Sequence, residues 1–460
     1  MRPAEGGYGH RSGWRTMTRD VVLERAQRVL DANWTGTYTV PASGLYPHQW
    51  SWDSAFIAIG TRHTRPDRAR AEILSLVPAQ WDDGRIPQII YNPTRDEEYA
   101  PGNSFWRSQS IPGSGVRPSA GFVQPPNHAW AAWLVHSADP EGSASEGFLE
   151  AIYPVLVRWH DYLAGPRASS RNPTLSVIKH PWEGTDNSPL WDDALSRVPV
   201  ESGTEIRRPD LLHAGHGERP DTNEYRKYYW LAERYRANQC RDDEPFAFEM
   251  VCPLFNALQA VSELALARIA DALGASSQAH RDRAAVISTA LDSDLWDDEL
   301  GIYVARDDVS GSLVRKATAN GLAPLLIPDA GHGPELVATL LGPRFLGGGK
   351  FVPSYDRTAA DFDPALYWRG PAWFNLNWMI MRAMQGIGNV EAADRLTPLF
   401  SEVSAQGDFP EYVDPTSGEP RGTRNFSWTA ALTIDALTVT HLPPLSDTTN
   451  APAPIGSYEH

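Results

Sequence analysis

Amphipathic helical periodicity recurs along almost the whole chain, whereas the alternation typical of strands is nearly absent. The stretch RDVVLERAQRVLDAN at 19–33 places its apolar residues on one helical face, namely Val22, Ala26, Val29 and Leu30. Further helical stretches lie at 52–61, 66–80, 128–138, 146–164, 224–238, 246–274, 277–295, 316–327, 333–341, 370–386, 389–404 and 426–441. The clearest strand candidate is TLSVIKH at 174–180. The sequence therefore predicts an all-α fold.

Loops rich in Gly, Pro, Asp and Trp join these helices, which suits an α-toroid of alternating inner and outer helices. Two stacked helical domains are the alternative. We expect one catalytic domain over 19–442, with a Pro- and Gly-rich insertion at about 165–223 that covers one mouth of the fold. Segments 1–18 and 443–460 are expected to be disordered, since the tail is rich in Pro, Thr and Ala.

The charge balance excludes two classes of partner. A net charge of −16 argues against nucleic acid and anionic membranes, because both need clustered Lys and Arg. The only cysteines, Cys240 and Cys252, have neither metal-ligand nor redox spacing and fit a reducing compartment. The first twenty residues lack the apolar core of a secretory signal, and no window is apolar enough to span a membrane. We therefore expect a cytoplasmic protein; the sequence leaves open whether it is a homo-oligomer.

Aromatic residues are unusually frequent, with 17 Trp and 16 Tyr. Such rings often line sugar-binding clefts, because they stack on the C–H faces of pyranoses, although many will simply pack in the core. Three loops combine them with carboxylates: YPHQWSWDSAF at 46–56, HPWEGTDNSPLWDD at 180–193 and FPEYVDPTSGEPRG at 409–422. Enzymes that cleave glycosidic bonds need two carboxyl groups, and an aromatic wall raises the pKa of the proton donor.

Several acidic residues have structural explanations. Asp192 and Asp193 stand at the start of a short helical stretch, Glu419 stands in a turn, and 297–299 resembles a helix end followed by a turn. For Asp53 the spacing suits a helix cap and a ligand contact equally well. Asp186 and Glu411 lie in mid-loop beside aromatic residues with no helix to cap, so they are the candidates for catalysis.

Other chemistries have weaker support. The chain lacks the sequence motifs of serine hydrolases, nucleotide-binding proteins and zinc proteases. His213 and His216 are spaced like metal ligands, but they stand in a glycine-rich loop that we interpret as structural. We predict no metal and no cofactor, with a small carbohydrate as the partner. The alternatives are a sugar epimerase and a non-catalytic sugar-binding toroid.

Five blocks together resemble glycoside hydrolase family 63, and most closely the short bacterial branch that includes mannosylglycerate and glucosylglycerate hydrolases. They are YPHQWSWDSAFIAIG (46–60), FVQPPNHAW (122–130), PWEGTDNSP (181–189), LYWRGPAWFNLNW (366–378) and EYVDPTSGEPRGTRNFSWTAA (411–431). Their order and spacing cover roughly residues 40 to 440. The resemblance implies an (α/α)6 barrel and an inverting, exo-acting α-glycosidase whose chemistry involves no metal.

The resemblance also implies roles for individual residues. Asp186, in the W-E-x-x-D-N-S-P block, would be the general acid, and Glu411, in the aromatic-x-Glu-Tyr block, would be the base. Asp53 would hold sugar hydroxyls. The walls of the sugar subsite would be formed by Tyr46, Trp50, Gln124, Trp182, Tyr367, Trp368 and Trp373.

The leaving-group side departs from the branch at two points. The acid block reads W-E-G-T-D, one residue shorter than in glucosylglycerate hydrolases, and Phe426 replaces a Gln expected at the glycerate site. Arg219 and Tyr225 stand where that branch contacts the glycerate carboxylate, and an Arg fork suits a carboxylate. A surface salt bridge to Glu218 or Asp221 would explain Arg219 equally well. We predict hydrolysis of a small α-glucoside such as glucosylglycerate, or of mannosylglycerate; the alternatives are trehalose-, kojibiose- or glucosylglycerol-like substrates.

Overall fold

A computed structural model describes residues 17–200, 206–212, 215 and 217–445 of the chain. In this part the α-helices are α1 Arg19–Asn33, α2 Ser51–Thr61, α3 Pro66–Leu74, α4 Asn103–Trp106, α5 His128–Ala138, α6 Pro140–Ser145, α7 Phe148–Ala164, α8 Asp192–Ser196, α9 Thr222–Ala237, α10 Pro253–Ala272, α11 Gln278–Leu295, α12 Gly333–Leu341, α13 Phe374–Gly386, α14 Val390–Asp394, α15 Ser404–Gln406 and α16 Ser427–Thr438. The protein is mostly helical, as predicted.

Short strands form small antiparallel sheets between the helices. The strands are β1 Gln49–Trp50, β2 Ile89–Ile90, β3 Val177–Ile178, β4 Met250–Val251, β5 Trp296–Asp297, β6 Ile302–Tyr303, β7 Ala305–Asp307, β8 Leu313–Val314, β9 Ala372–Trp373, β10 Tyr412–Val413 and β11 Pro420–Arg421. In the described part they pair as β1-β2, β11-β10-β9, β3-β4-β7-β8 and β5-β6. Strands of two or three residues are too short to give an alternating sequence pattern.

Six central elements contact one another in a closed circuit. Helix α2 packs on α5, α5 on α10, α10 on the 3₁₀ helix Ala319–Leu326, that helix on α13, α13 on α16, and α16 on α2. Other helices pack outside the circuit: α1 on α16, α3 on α2 and α5, α7 on α5 and α10, α11 on α10, and α12 on the 3₁₀ helix. The chain thus alternates between an inner and an outer layer over much of its length.

Burial follows from the two layers. Every residue of the inner helix α2 is buried, and so is α13 as far as Met384. The outer helix α1 buries one face through Val22, Ala26, Val29 and Leu30, with Asn33 at its end. A helix that is covered on all sides must have apolar or hydrogen-bonded side chains all round. An outer helix needs only one apolar stripe, on the face that packs inward.

Several helical predictions need correction. The predicted helix at 316–327 is the shorter 3₁₀ helix Ala319–Leu326, which contains Pro324, and proline cannot supply the amide hydrogen that an α-helix needs. The stretch 246–274 begins as strand β4 before α10, and 389–404 is divided into α14, the π-helix Leu399–Val403 and the start of α15. At 297–299, Asp297 lies in β5 rather than at a helix end, and the predicted turn is that of the β5-β6 hairpin.

Helices α2 and α16 approach closely at Gly60. A Cβ atom built on Gly60 would lie 2.0 Å from the backbone oxygen of Ala431, so only glycine fits at this crossing. We expect Gly60→Ala to lower the free energy of unfolding by about 2 kcal/mol or more, because two backbones must separate. Urea denaturation followed by circular dichroism measures it.

The matched control is Gly386→Ala at the exposed end of α13, where an added Cβ meets nothing within 4 Å. This change should be neutral or stabilise the protein by up to about 1 kcal/mol, since alanine favours helix more than glycine does. Equal stability of the two variants would contradict the close approach of α2 and α16.

The remaining predictions about organisation concern the termini, the insertion and the cysteines. Segments 1–18 and 443–460 lie largely outside the described residues, which begin at 17 and end at 445. The described parts of 165–223 consist mainly of turns and short helices. Cys240 and Cys252 are both buried free thiols. Within the described ranges no helix has both the length and the apolar character needed to cross a bilayer.

Candidate active site

The three aromatic and acidic loops of the sequence meet at one pocket. Its empty volume is about 500 Å³ when the open mouth is included. Both candidate carboxylates, Asp186 and Glu411, line it. The other predicted residues on its wall are Tyr46, Trp50, Asp53, Gln124, Trp182, Tyr367, Trp368 and Trp373. Arg219 and Tyr225 lie beside the pocket but do not line it.

The first loop places Asp53 at the start of an inner helix. Strand β1 pairs with β2, and α2 begins directly after it, so the third residue of α2 faces the pocket. Asp53 is buried, and burial raises the pKa of its carboxyl well above the usual value, with the charge of Glu411 acting in the same direction. Asp53 thus lies in the first turn of α2, whose N-cap residue is Trp50, and it lines the pocket.

The second loop is held by hydrogen bonds on either side of Trp182. The Nδ1 atom of His180 accepts from the Trp182 amide at 3.0 Å, so its Nε2 must be the atom that donates to the Tyr228 carbonyl, also at 3.0 Å. Burial lowers the pKa of His180 to about 3, which keeps this tautomer neutral. Gln88 donates to the Trp182 carbonyl at 2.9 Å. The backbone of Trp182 is thus fixed where its indole lines the pocket.

Asp186 follows in the same loop, outside any helix or strand. Its carbonyl accepts from the Tyr228 hydroxyl at 2.9 Å, and the neighbouring Asn187 accepts from the Trp368 amide at 2.9 Å. Burial raises the pKa of Asp186 to about 8; the Arg219 charge opposes the rise and the Glu411 charge adds to it. Asp186 therefore carries a proton at neutral pH, as a proton donor must.

Glu411 is bonded differently. It lies directly before β10, whose pairing with β9 sets Tyr412 opposite Trp373. Its carboxylate accepts from the Tyr46 hydroxyl at 2.9 Å, from Arg219 Nη2 at 2.7 Å and from the Thr423 amide at 3.2 Å. Arg219 supplies a buried positive charge against it. The two candidate carboxyls thus occupy one pocket in contrasting electrostatic surroundings.

Gly422 makes room for the Glu411 carboxylate. Its φ of +64° lies in the left-handed region, and a Cβ atom there would stand 2.6 Å from Glu411 Oε2. The sequence hypothesis missed this residue. A glycine directly before the Thr423 amide that binds Glu411 was the available signal.

Stacked indoles form one wall of the pocket. The rings of Trp368 and Trp373 lie 3.9 Å apart with an interplanar angle of 3°. Trp373 donates through Nε1 to the Tyr367 carbonyl at 2.9 Å, and Tyr367 takes a left-handed φ of 38°. Elsewhere on the wall, the Gln124 amide oxygen accepts from the Trp52 amide at 3.2 Å. These bonds hold the aromatic surface rigid.

Arg219 does not form the surface salt bridge that was one of the two explanations offered by the sequence. It is only 6% exposed, which excludes a surface salt bridge, and it binds Glu411. Its guanidinium stands 4.2 Å from the centre of the Tyr367 ring, and its Nε has no hydrogen-bond partner among the described residues. Tyr225 packs edge-on against Trp182 at 6.4 Å, and Arg208 covers its ring at 3.5 Å.

The acidic residues given structural explanations do have structural contacts. Asp192 opens α8 and pairs with Arg369, and Glu419 is largely exposed and pairs with Arg421 at 3.2 Å. Asp297 binds the backbone of its hairpin turn. His213 and His216 lie outside the described residues. The side chains that the structure describes include no group of His, Cys, Asp and Glu able to hold a metal ion.

Some pocket residues had not been singled out as site residues from the sequence. They are Pro41, Trp52, Gln88, Tyr99, Gly184 and Trp428, and the pocket also includes Phe426. Trp52 and Trp428 stand inside the recognised blocks, so their position was a usable signal. Tyr99 stands in a polar stretch, TRDEEYAPG, that carries no aromatic pattern. It reaches the pocket through the edge-on contact of its ring with Trp50 at 5.0 Å.

Comparison with known proteins gives concordant matches. The family model described as mannosylglycerate hydrolase MGH1-like glycoside hydrolase domain matches residues 46–429. A mannosylglycerate hydrolase of Rubrobacter radiotolerans is 38% identical over 90% of this chain and 96% of its own. A glucosylglycerate hydrolase of Mycolicibacterium hassiacum is 34% identical over 92% of this chain and 99% of its own.

A solved structure agrees with the sequence matches. The crystal structure of the family 63 mannosylglycerate hydrolase from Thermus thermophilus, in complex with Tris and D-glycerate, superposes with a TM-score of 0.82 at 34% identity. The match covers 90% of this chain and 99% of that one. The chain therefore belongs to the MGH1-like branch of glycoside hydrolase family 63, and it is a glycoside hydrolase.

Proposed function

We propose that the protein is an inverting, exo-acting α-glycosidase that releases the sugar from an α-glycoside of glycerate, either glucosylglycerate or mannosylglycerate. One observation carries this proposal: Asp186, whose pKa is raised by burial, and Glu411, which is paired with Arg219, line the same aromatic pocket. In a glycosidase the general acid needs a raised pKa so that it carries a proton, whereas the general base must be ionised.

In the mechanism, Asp186 gives its proton to the glycosidic oxygen while the bond from that oxygen to the anomeric carbon breaks. Glu411 takes a proton from the water that attacks the same carbon from the opposite face. Inversion requires the two carboxyl groups to stand roughly 6.5–9.5 Å apart, which leaves room for this water. Each proton transfer contributes about 10²–10⁴-fold in rate.

The walls of the pocket suit a single hexose. The Trp368 and Trp373 pair, together with Trp50 and Trp182, offers apolar faces to the sugar ring. Asp53, Gln124, Tyr46 and Tyr367 add polar groups that would bind its hydroxyls.

The leaving group would meet Arg219 and Tyr225. The unpartnered Nε of Arg219 is a free donor beside the pocket, and a carboxylate is its natural acceptor. Relatives named for hydrolysis of mannosylglycerate and glucosylglycerate support an anionic aglycone. Phe426 lines the pocket beside Tyr46 and Trp428, so part of the aglycone side is apolar. Because of this apolar surface, the second candidate is a substrate with a neutral aglycone, such as a trehalose-like or glucosylglycerol-like compound.

The proposal extends to the architecture. The closed circuit of six central elements, with further helices outside it, supports an (α/α)6 barrel formed by one domain over 19–442. The insertion at 165–223 contributes Trp182 and Asp186 to the pocket wall and Arg219 beside it, which supports a role in covering the pocket.

A substrate panel tests the function. Purified protein is given glucosylglycerate, mannosylglycerate, glucosylglycerol and trehalose, and proton NMR follows the first minutes of reaction. We expect free hexose from a glycerate glycoside, with the β-anomer appearing before mutarotation forms the α-anomer. First appearance of the α-anomer would contradict inversion. Isomerised sugar without hydrolysis would indicate an epimerase, and calorimetric binding without turnover would indicate a binding protein.

A further inference from the structure

Glu183 is a buried carboxylate that the proposed chemistry does not use. It stands three positions before Asp186 and is 0% exposed. Arg167 binds it through both terminal nitrogens, Nη1 to Oε2 and Nη2 to Oε1, each at 2.7 Å. The amides of Val123 and Lys179 donate to Oε1 at 3.0 Å and to Oε2 at 2.6 Å. Each carboxylate oxygen thus accepts two hydrogen bonds.

These four bonds join segments that each carry part of the pocket. Val123 directly precedes Gln124, and Lys179 opens the loop that leads to Trp182 and Asp186. Glu183 therefore fixes the beginning of the acid loop against the segment that carries Gln124. Aliphatic packing could not do this, because the groups held are backbone amides that need an acceptor.

Arg167 is itself immobilised. Its Nε donates to the Tyr162 hydroxyl at 2.8 Å and lies 3.1 Å from Asp242. Asp242 also pairs with Arg85 at 3.2 Å, and all of these charged groups are buried. Because the Arg167 guanidinium is held by these contacts, its two parallel hydrogen bonds fix the position of the Glu183 carboxylate.

We propose that Glu183 and Arg167 are positioning residues for the general acid: their bidentate pair holds the loop that places Asp186 against the glycosidic oxygen. The inference rests on the proposed function, since it assigns Asp186 the proton-donor role. Neither residue contacts substrate. Both act through the backbone of 179–186.

The leaving group provides the test. A glycerate glycoside needs a proton on its departing oxygen, whereas an α-glycosyl fluoride releases fluoride with little help from an acid and still needs Glu411 to activate water. Glu183→Gln preserves the shape of the side chain but directs an NH₂ group at two of the four donors. The two hydrogen bonds at that end of the carboxylate are therefore lost. We expect kcat on the glycerate glycoside to fall about 100-fold, and the rate on the fluoride of the same hexose to change less than about fivefold.

Both rates are measured on one sample, so their ratio does not depend on how much protein is folded. Arg167→Lys, which keeps the charge beside Asp242 but loses the paired geometry, should shift the ratio in the same direction and covers the case in which Glu183→Gln folds poorly. The matched control is Glu263→Gln, which removes a fully buried carboxylate bound by His160, His280 and Arg283 away from the pocket. Its ratio should equal that of the wild type.

The outcomes separate the two proposals. An equal loss on both substrates in Glu183→Gln and in Arg167→Lys overturns the positioning role, as does an unchanged rate on both. Wild-type protein that hydrolyses neither substrate instead contradicts the proposed function.

Discussion

Glu411→Ala is expected to lower kcat on the preferred glycoside by about 10²–10⁴-fold, because no other group would take the proton from the attacking water. The carboxylate accepts bonds from Tyr46, Arg219 and Thr423 on the wall of the pocket, so its position is defined before substrate enters. Initial rates of hexose release at saturating substrate measure the effect.

Azide should restore reaction in this variant. The anion attacks carbon without losing a proton, so it needs no base, and removal of the Glu411 side chain leaves space beside Arg219 for an anion. The expected product is the β-glycosyl azide, of opposite anomeric configuration to the substrate, detected by NMR or mass spectrometry. Formation of the α-azide would contradict single displacement.

Glu411→Ala should also have a lower free energy of unfolding than the wild type. Arg219 and Glu411 are both buried, and removal of one partner of a buried ion pair costs about 3–5 kcal/mol because the other charge is left uncompensated. Glu411→Ala combined with Arg219→Ala should therefore unfold with a smaller loss than the sum of the two single variants. Its activity should stay as low as that of Glu411→Ala.

Glu419→Ala is the matched control, since this carboxylate stands in the same segment but is exposed beside Arg421. Exposed pairs contribute about 1 kcal/mol or less, so both rate and stability should stay near those of the wild type. If Glu411→Ala kept more than about a tenth of the wild-type kcat, its role as base would be wrong.

The parts of the fold visible in the sequence are those with regular periodicity. Helices such as 128–138 were predicted with the bounds that the structure has, because their apolar pattern extends over several turns. The 3₁₀ helix at Ala319–Leu326 was mistaken for an α-helix, since its apolar residues give a similar pattern and only Pro324 signals the difference. The two-residue strands gave no periodic signal.

The site was predictable where aromatic and acidic residues are close in sequence, and less so where partners are distant. Asp186 and Glu411 stood out as mid-loop carboxylates, and the structure brings both to one pocket. The pairing of Arg219 with Glu411 joins residues 192 positions apart, and that of Glu183 with Arg167 depends on the fold of the loop between them. Local sequence cannot show which carboxylate a given arginine will reach.

Removal of the predicted acid should have an effect as large as removal of the base, but limited to substrates that need a proton. Asp186→Asn is expected to lower kcat on the glycerate glycoside by about 10²–10⁴-fold while keeping most of the activity on the α-glycosyl fluoride. The matched control is Asp192→Asn in the same loop, whose carboxylate pairs with Arg369 near the surface. It should behave as the wild type on both substrates.

The pH dependence follows from the raised pKa of Asp186. With this pKa near 8, the wild type should keep its proton donor through neutral pH and lose activity on the glycoside as pH rises past about 8. On the fluoride this alkaline decline should be weak, because the departing fluoride needs little protonation. An alkaline decline of equal size on both substrates would assign it to a group other than Asp186.

The same pKa predicts that Asp186→Asn, while losing activity, gains in free energy of unfolding relative to the wild type as pH rises. In the unfolded chain Asp186 loses its proton near its usual pKa of about 3.9, while in the folded protein it keeps the proton up to about 8. Between these values the folded state binds more protons, so rising pH weakens the wild type at this position. Asparagine has no proton to lose, and Asp186→Asn should therefore gain stability relative to the wild type from about pH 4 to pH 8. Denaturant unfolding at pH 4.5 and 7.5 measures this difference, and equal offsets at both values would mean that Asp186 is ionised in the folded pocket and cannot be the acid.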